Sequence, residues 1–120
     1  MIIPTFEDMT TAHDRIKPYN QHTLVLTSSF LNELTGAQLF FKCENFQKAG
    51  AFKVRGASNT VFGLTDQEAT NGVCKQSSGN HALSLSYAAG RRGIPCNVVI
   101  TTHSATSQER RCGRLWRCDR

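Results

Sequence analysis

Lys53 is the residue of this sequence best placed to act as an amine nucleophile. It stands in the run Lys42-Cys43-Glu44-Asn45-Phe46-Gln47-Lys48-Ala49-Gly50-Ala51-Phe52-Lys53-Val54-Arg55-Gly56-Ala57, where a helical pattern opens at Phe52. A lysine just inside a helix N-terminus, between Phe52 and Val54, feels the positive end of the helix dipole and is expected to lose solvent. Both effects favour the neutral amine, and a neutral amine can form a Schiff base with a carbonyl compound. The plainer reading of the same residue is a solvated lysine on a helix surface.

A second stretch, Ser77-Ser78-Gly79-Asn80-His81, places small hydroxyl residues and a glycine where a strand is expected to give way to a helix. The free backbone N–H groups of such a junction bind anions, a carboxylate among them. Simple capping by Ser77 and Ser78 explains the same residues. A serine hydrolase would also need a nucleophile elbow and a remote acid, and neither pattern is visible. No metal is expected: the sequence has no C-x-x-C, and His103, Cys112 and Cys118 lack a fourth ligand at usual spacing.

These stretches must be held by regular elements, and the sequence marks several. Thr5-Phe6-Glu7-Asp8 has the form of a capping box, which opens a helix over about residues 6–17, closed by Pro18. Leu24-Val25-Leu26 is a brief apolar run. Phe30, Leu31 and Leu34 form a helical turn ended by Gly36, and residues 38–44 suit a strand. Phe52, Ala57 and Val61 predict a helix ending near Gly63, and residues 72–74 a short buried strand. A further helix is expected from the Ser77–Asn80 caps to about Gly90, then a strand over Asn97 to Ile100. Helices alternating with short apolar strands imply an α/β layer with parallel pairing.

Composition sets the limits. A chain of 120 residues with 39% apolar and 19% charged content is long enough for one core. The net charge of +5 is concentrated in the tail: residues 1–107 hold nine Lys/Arg against seven Asp/Glu, and residues 108–120 hold five against two. That tail lacks the interleaved aromatics of a nucleic-acid module, so a solvated tail is expected and no nucleic-acid partner. There is no apolar run long enough to span a bilayer, so no membrane partner is expected. Five cysteines without a pairing pattern or a preceding signal peptide point to a reduced, cytoplasmic protein.

Taken together, Lys42 to Gly56 resembles the cofactor-lysine motif of fold-type II pyridoxal-phosphate enzymes, and Ser77 to His81 resembles their carboxylate-binding loop. The two occur in family order and at a family-like separation. The resemblance covers about residues 1–100 and is to the threonine/serine dehydratases (ammonia-lyases) and serine racemases. It implies an α/β fold of the tryptophan synthase β type, here as an incomplete parallel sheet with flanking helices. It implies pyridoxal 5'-phosphate as cofactor, bonded to Lys53, with Phe52 beside the pyridine ring and Asn80 at the ring hydroxyl. Ser77, Ser78, Gly79, Asn80 and His81 would bind the carboxylate of a small hydroxy-amino acid such as serine or threonine. In racemase-like members the serine matching Ser78 is an acid/base on the face opposite the lysine. Full-length relatives are expected to be homo-oligomers.

The sequence departs from the family at Leu24, where proline usually follows the matching threonine, and at Lys75-Gln76, where threonine-histidine is usual. The expected glycine-rich phosphate loop is absent from these 120 residues. Residues 101–120 read as a divergent tail, poorly ordered or frameshifted. Back-translated and shifted by one base, Arg111 to Arg120 permits Ala-Val-Ala-Gly-Tyr-Gly-Ala-Ala-Ile, which looks like the family segment due there. The chain is therefore expected to be an N-terminal part of such an enzyme, inactive alone; the alternative is a small non-catalytic α/β binding or interaction protein derived from the same fold.

Overall fold

The computed structural model describes residues 3–77 and 79–99. Ser78, Ile100 and residues 101–120 lie outside the described residues, and with them the expectation of a poorly ordered tail.

Helix α1, Phe6–Ile16, opens on the expected capping box: the Asp8 N–H donates to Thr5 Oγ1 at 3.2 Å, and Asp8 Oδ2 accepts from the Thr5 N–H at 2.8 Å. The bonds from Thr5 favour the ionised carboxylate and hold Asp8 below the usual carboxylate range. Ile16 is buried, and Arg15 reaches across to Asn59 at 2.6 Å, so α1 lies along the helix that carries Lys53.

Strand β1, Val25–Leu26, pairs antiparallel with β2, Phe41–Lys42. Helix α2, Ser29–Thr35, fills the connection, capped by Ser28 and ended by Gly36 in the left-handed conformation that glycine adopts without steric cost. This antiparallel pair stands beside the parallel pairing expected of the chain, and the strand expected over 38–44 is regular only at Phe41–Lys42.

Helices α3, Lys53–Gly63, and α4, Asp66–Thr70, lead to β3, Val73–Gln76; α5, Asn80–Arg92, then crosses to β4, Cys96–Val99, which pairs parallel with β3. Parallel strands need such a crossover, and a helix supplies it. Small side chains along α5, Ala82, Ser84, Ser86, Ala88 and Ala89, are all buried, which lets α3 and α5 approach closely. Ala57 and Val61 of α3 meet Leu85 and Ala88 of α5, closed off by Val73, Ile94 and Cys96. Burying side chains such as Val61 contributes roughly 1.5–3 kcal/mol each, and this helix pair is the main core.

One further expectation is corrected. The strand at 72–74 is not buried: it runs Val73–Gln76, with Val73 half-buried and the next three residues exposed. The N-cap of α5 falls within the expected Ser77–Asn80 stretch, at Gly79, which supplies only backbone.

Candidate active site

Lys53 is the first residue of α3, and Phe52 is its N-cap. The chain reaches them through two short 3-10 turns, Glu44–Phe46 and Lys48–Gly50, with Ala49 and Gly50 at φ of 56° and 70°. Successive positive φ values turn the backbone sharply into α3, and a non-glycine at such a φ is held there by its surroundings.

Those surroundings are a set of polar contacts to residues 21–24. Gln47 is buried, and its side chain copies a strand partner: Nε2 donates to the Gln21 carbonyl and Oε1 accepts from the Gln21 N–H, both at 2.8 Å. Oε1 also accepts from the Lys48 N–H at 3.0 Å. Arg55 grips Glu44 with two bonds, Nε to Oε2 at 2.8 Å and Nη2 to Oε1 at 2.7 Å. The Thr23 hydroxyl donates to Glu44 Oε1 at 2.5 Å, and Lys42 Nζ donates to the Thr23 carbonyl at 2.6 Å. The Arg55 guanidinium, with help from Thr23 and Lys42, holds the Glu44 carboxyl down at about 2.

The Lys53 amine is exposed, 5.0 Å from the centroid of the Phe52 ring, which is itself 58% exposed. The expected loss of solvent at Lys53 is therefore not met within these residues. What surrounds the amine is the positive end of α3 and one aromatic face.

The second loop continues the β3–β4 ladder by one residue, with the Ser77 N–H donating to the Val99 carbonyl at 3.0 Å. The Gly79 N–H donates to Ser77 Oγ at 3.4 Å, and the Gly79 carbonyl accepts from the N–H groups of Ala82 and Leu83. A Cβ added at Gly79 would meet nothing within 4 Å, so the backbone here faces open space. Asn80 is exposed and His81 half-buried in the first turn of α5, while Ser78 lies outside the described residues.

The two loops are neighbours through packing. Ala49, four residues before Lys53, sits against a cluster of Ala82 and Leu83 from the first turns of α5 and Val98 from β4. Among the described residues no hydrogen bond joins Lys53 to the Ser77–His81 loop. The arrangement presents an amine beside an aromatic ring on one loop and, on the other, the first-turn N–H groups of Asn80 and His81, for which the described residues supply no acceptor. That suits an aromatic aldehyde at Lys53 and a carboxylate at α5; the phosphate end has no counterpart, since no G-x-G-x-x-G or tetraglycine run occurs in the sequence.

Sequence reasoning missed the residues that lock the lysine loop: Gln47, Thr23 and the Glu44–Arg55 pair. The available signal was charge sign, because Glu44 and Arg55 are opposite charges bracketing the Lys53 segment.

The family model for pyridoxal-phosphate dependent enzymes matches residues 16–115. The chain belongs to that family. It is 69% identical over 100 residues to a β-hydroxyaspartate dehydratase of Paracoccus denitrificans, covering 83% of this chain and 32% of that protein. It is 50% identical over 100 residues to a serine racemase of Dictyostelium discoideum, covering 83% of this chain and 31% of that one. Among solved structures, maize serine racemase superposes with a TM-score of 0.92 at 42% identity, over 95% of this chain and 35% of the maize chain. The family's α/β fold is thus present in part, and the chain spans about a third of the length of these relatives. No helix among the described residues is long and apolar enough to cross a membrane, and none of the described cysteines is disulfide-bonded.

Proposed function

We propose that this chain is the lysine-bearing portion of a cytoplasmic pyridoxal-phosphate dependent enzyme that dehydrates a 3-hydroxy-amino acid to a 2-oxo acid and ammonia. The observation that carries the reading is Lys53 at the head of α3, on a loop locked by Gln47 and the Glu44–Arg55 pair and packed against the first turn of α5. Pyridoxal phosphate, when bound, would supply the electron sink for the pair left on the substrate's α-carbon.

Lys53 Nζ is the base that takes the α-proton, with Phe52 as a wall beside the cofactor ring and Asn80 at its ring hydroxyl. The stretch Ser77, Ser78, Gly79, Asn80 and His81 holds the substrate carboxylate through the Ser77 hydroxyl and the N–H groups that open α5, which fixes the α-C–H bond over the amine. A hydroxyl on the β-carbon leaves as water after gaining a proton, and the released enamine hydrolyses to the oxo acid and ammonia. Dehydration is favoured over racemisation because identity to the β-hydroxyaspartate dehydratase, 69%, exceeds that to the Dictyostelium serine racemase, 50%. By the same comparison a hydroxy-amino dicarboxylic acid takes precedence over serine and threonine as substrate. In a racemase-like reaction Ser78 would return the proton on the opposite face.

We also propose that the basic tail is a reading-frame product, on the support of the one-base shift at Arg111 to Arg120. Sequencing the coding DNA from the Pro95 codon onward tests this, and the proposal fails if no neighbouring frame continues into Tyr-Gly-Ala.

Borohydride reduction after addition of pyridoxal phosphate, followed by peptide mapping, tests the role of Lys53. Label concentrated on Lys53, and lost in Lys53→Arg, is expected. Label spread evenly over the five lysines, Lys17, Lys42, Lys48, Lys53 and Lys75, would sink the reading in favour of a non-catalytic binding protein.

A further inference from the structure

Lys75 is an exposed cation on β3, two residues before the loop that faces the anion, and no hydrogen bond or ion pair reaches it among the described residues. Val73 of the same strand packs on the α3–α5 core, so by the two-residue alternation of a strand Lys75 and Ser77 share the face that looks toward those helices. The alternation extends to Ser77 because its N–H continues the β3–β4 ladder, bonding to the Val99 carbonyl at 3.0 Å. Two residues along a strand are about 6.6 Å apart, a gap that the flexible stem of a lysine spans. The Lys75 ammonium is therefore within reach of the space beside the Ser77 hydroxyl and the first turn of α5.

The charge at this end of the β3–α5–β4 unit has no internal balance. Residues 71–99 contain no Asp or Glu, and their Lys and Arg residues are Lys75, Arg91 and Arg92. Both arginines stand in the last turn of α5, at the opposite end from the loop, and Arg92 is paired with Asp66 at 3.2 Å. Helix α3 contains no carboxylate either, and Glu44 below it is held by Arg55. The N-terminus of α5 adds positive charge of its own. One carboxylate answers the N–H groups that open the helix, and the full charge of Lys75 is then left over. Threonine, usual at this position in the motif that the loop resembles, would leave none.

We propose that Lys75 takes the second carboxylate of the substrate and so sets the preference for a 3-hydroxy-amino dicarboxylic acid. The α-carboxylate lies against the N–H groups of Asn80 and His81 and the Ser77 hydroxyl, and the carboxylate on the β-carbon turns toward the Lys75 ammonium. The two carboxylates of such an acid are separated by the α- and β-carbons, so both fit within the span from Ser77 to Lys75. Lys75 moves no proton; it selects by charge. The inference rests on the substrate class proposed above and names the residue that recognises it.

L-Malate and L-lactate test it, because they differ by one carboxylate and carry no amine to react with an aldehyde. Slowed hydrogen exchange at residues 77–83 of the 120-residue chain, titrated with each acid at high dilution, gives the two affinities, and exchange in α1 checks that each variant is folded. Malate is expected to bind about fivefold more tightly at low salt, the scale of one exposed ion pair. High salt should shrink that preference by screening the pair. Lys75→Gln should bring malate down to the lactate value, Lys75→Arg should keep the preference, and Arg91→Gln at the far end of α5 should change neither. Equal affinity for the two acids, a preference that survives Lys75→Gln, or no protection of the loop by either acid would overturn the proposal. Borohydride labelling of Lys53 is read separately: label retained without a malate preference rejects the role of Lys75, whereas label spread evenly over the lysines rejects the catalytic reading.

Discussion

Glu44 and Arg55 are joined by two parallel hydrogen bonds, Nε to Oε2 at 2.8 Å and Nη2 to Oε1 at 2.7 Å, and the ten residues between them include Ala49, Gly50, Phe52 and Lys53. The clasp fixes both ends of the loop that presents the amine. Its side chains are 18% and 32% exposed for Glu44 and Arg55, so water weakens the pair only in part.

That clasp titrates. Glu44 is lowered from 4.5 to about 2 by its bonds from Arg55, so its folded-state affinity for a proton is below its unfolded one. The stability it contributes is fully present above pH 4.5 and is lost as the pH falls toward 2. Hydrogen exchange of the amides of α3, followed between pH 5 and pH 2.5, should show this loss. Glu44→Gln should flatten the pH dependence and lower α3 protection at pH 7 by about 1–3 kcal/mol; an unchanged pH profile would refute the assignment.

Gln47 should be less replaceable than its type suggests. Gln47→Ala leaves the Gln21 N–H and carbonyl and the Lys48 N–H without their partner, at roughly 2–4 kcal/mol for the group. Exchange protection at Gln21 and Lys48 reports the cost, and pyridoxal-phosphate labelling should fall selectively at Lys53. Gln47→Glu should recover only part of the loss, because it keeps the acceptor for the Gln21 and Lys48 N–H groups but sets a carboxylate oxygen against the Gln21 carbonyl.

Gly72 admits no side chain. Its φ is +72°, and an added Cβ would lie 2.8 Å from Pro95 Cβ and collide with the Pro95 carbonyl oxygen, the acceptor for the Val73 N–H. Gly72→Ala should cost more than about 2 kcal/mol through strain and clash together. The loss should appear as weakened exchange protection in β3 and β4 while α1 is unaffected.

Exposed Leu24, Phe30, Leu34 and Phe40 predict that the chain alone associates with rising concentration and binds hydrophobic dyes. Analytical ultracentrifugation from 1 to 100 µM (on the order of the range where such species aggregate) should show growing mass. A sharp cooperative melt from a dilute monomer would contradict this.

Local signals were the legible part of the fold. The Thr5–Asp8 box, Pro18, Gly36 and the apolar spacing of Ala57 and Val61 act within one or two turns of chain, and α1, α2 and α3 follow them closely. α4 escaped notice although Thr65 and Glu68 repeat the same box, because five residues are too few to display an apolar period. β1–β2 pairing was not legible: the strands are fifteen residues apart at their facing positions Leu26 and Phe41, and two-residue strands show no alternation. In the candidate site the residues that resemble the family motifs could be named one by one. The Thr23, Gln47 and Glu44–Arg55 supports could not, since they depend on which distant backbone the fold brings alongside. Exposure of Lys53 and Phe52 was likewise invisible to a reading that inferred burial from neighbouring residue types.

Ala49 gives the two loops a common mechanical fate. A left-handed alanine cannot slide along its backbone coordinate without a steric penalty, and its methyl is seated on Ala82, Leu83 and Val98. A displacement of the first turn of α5 is therefore passed through that methyl to the segment that leads into Lys53.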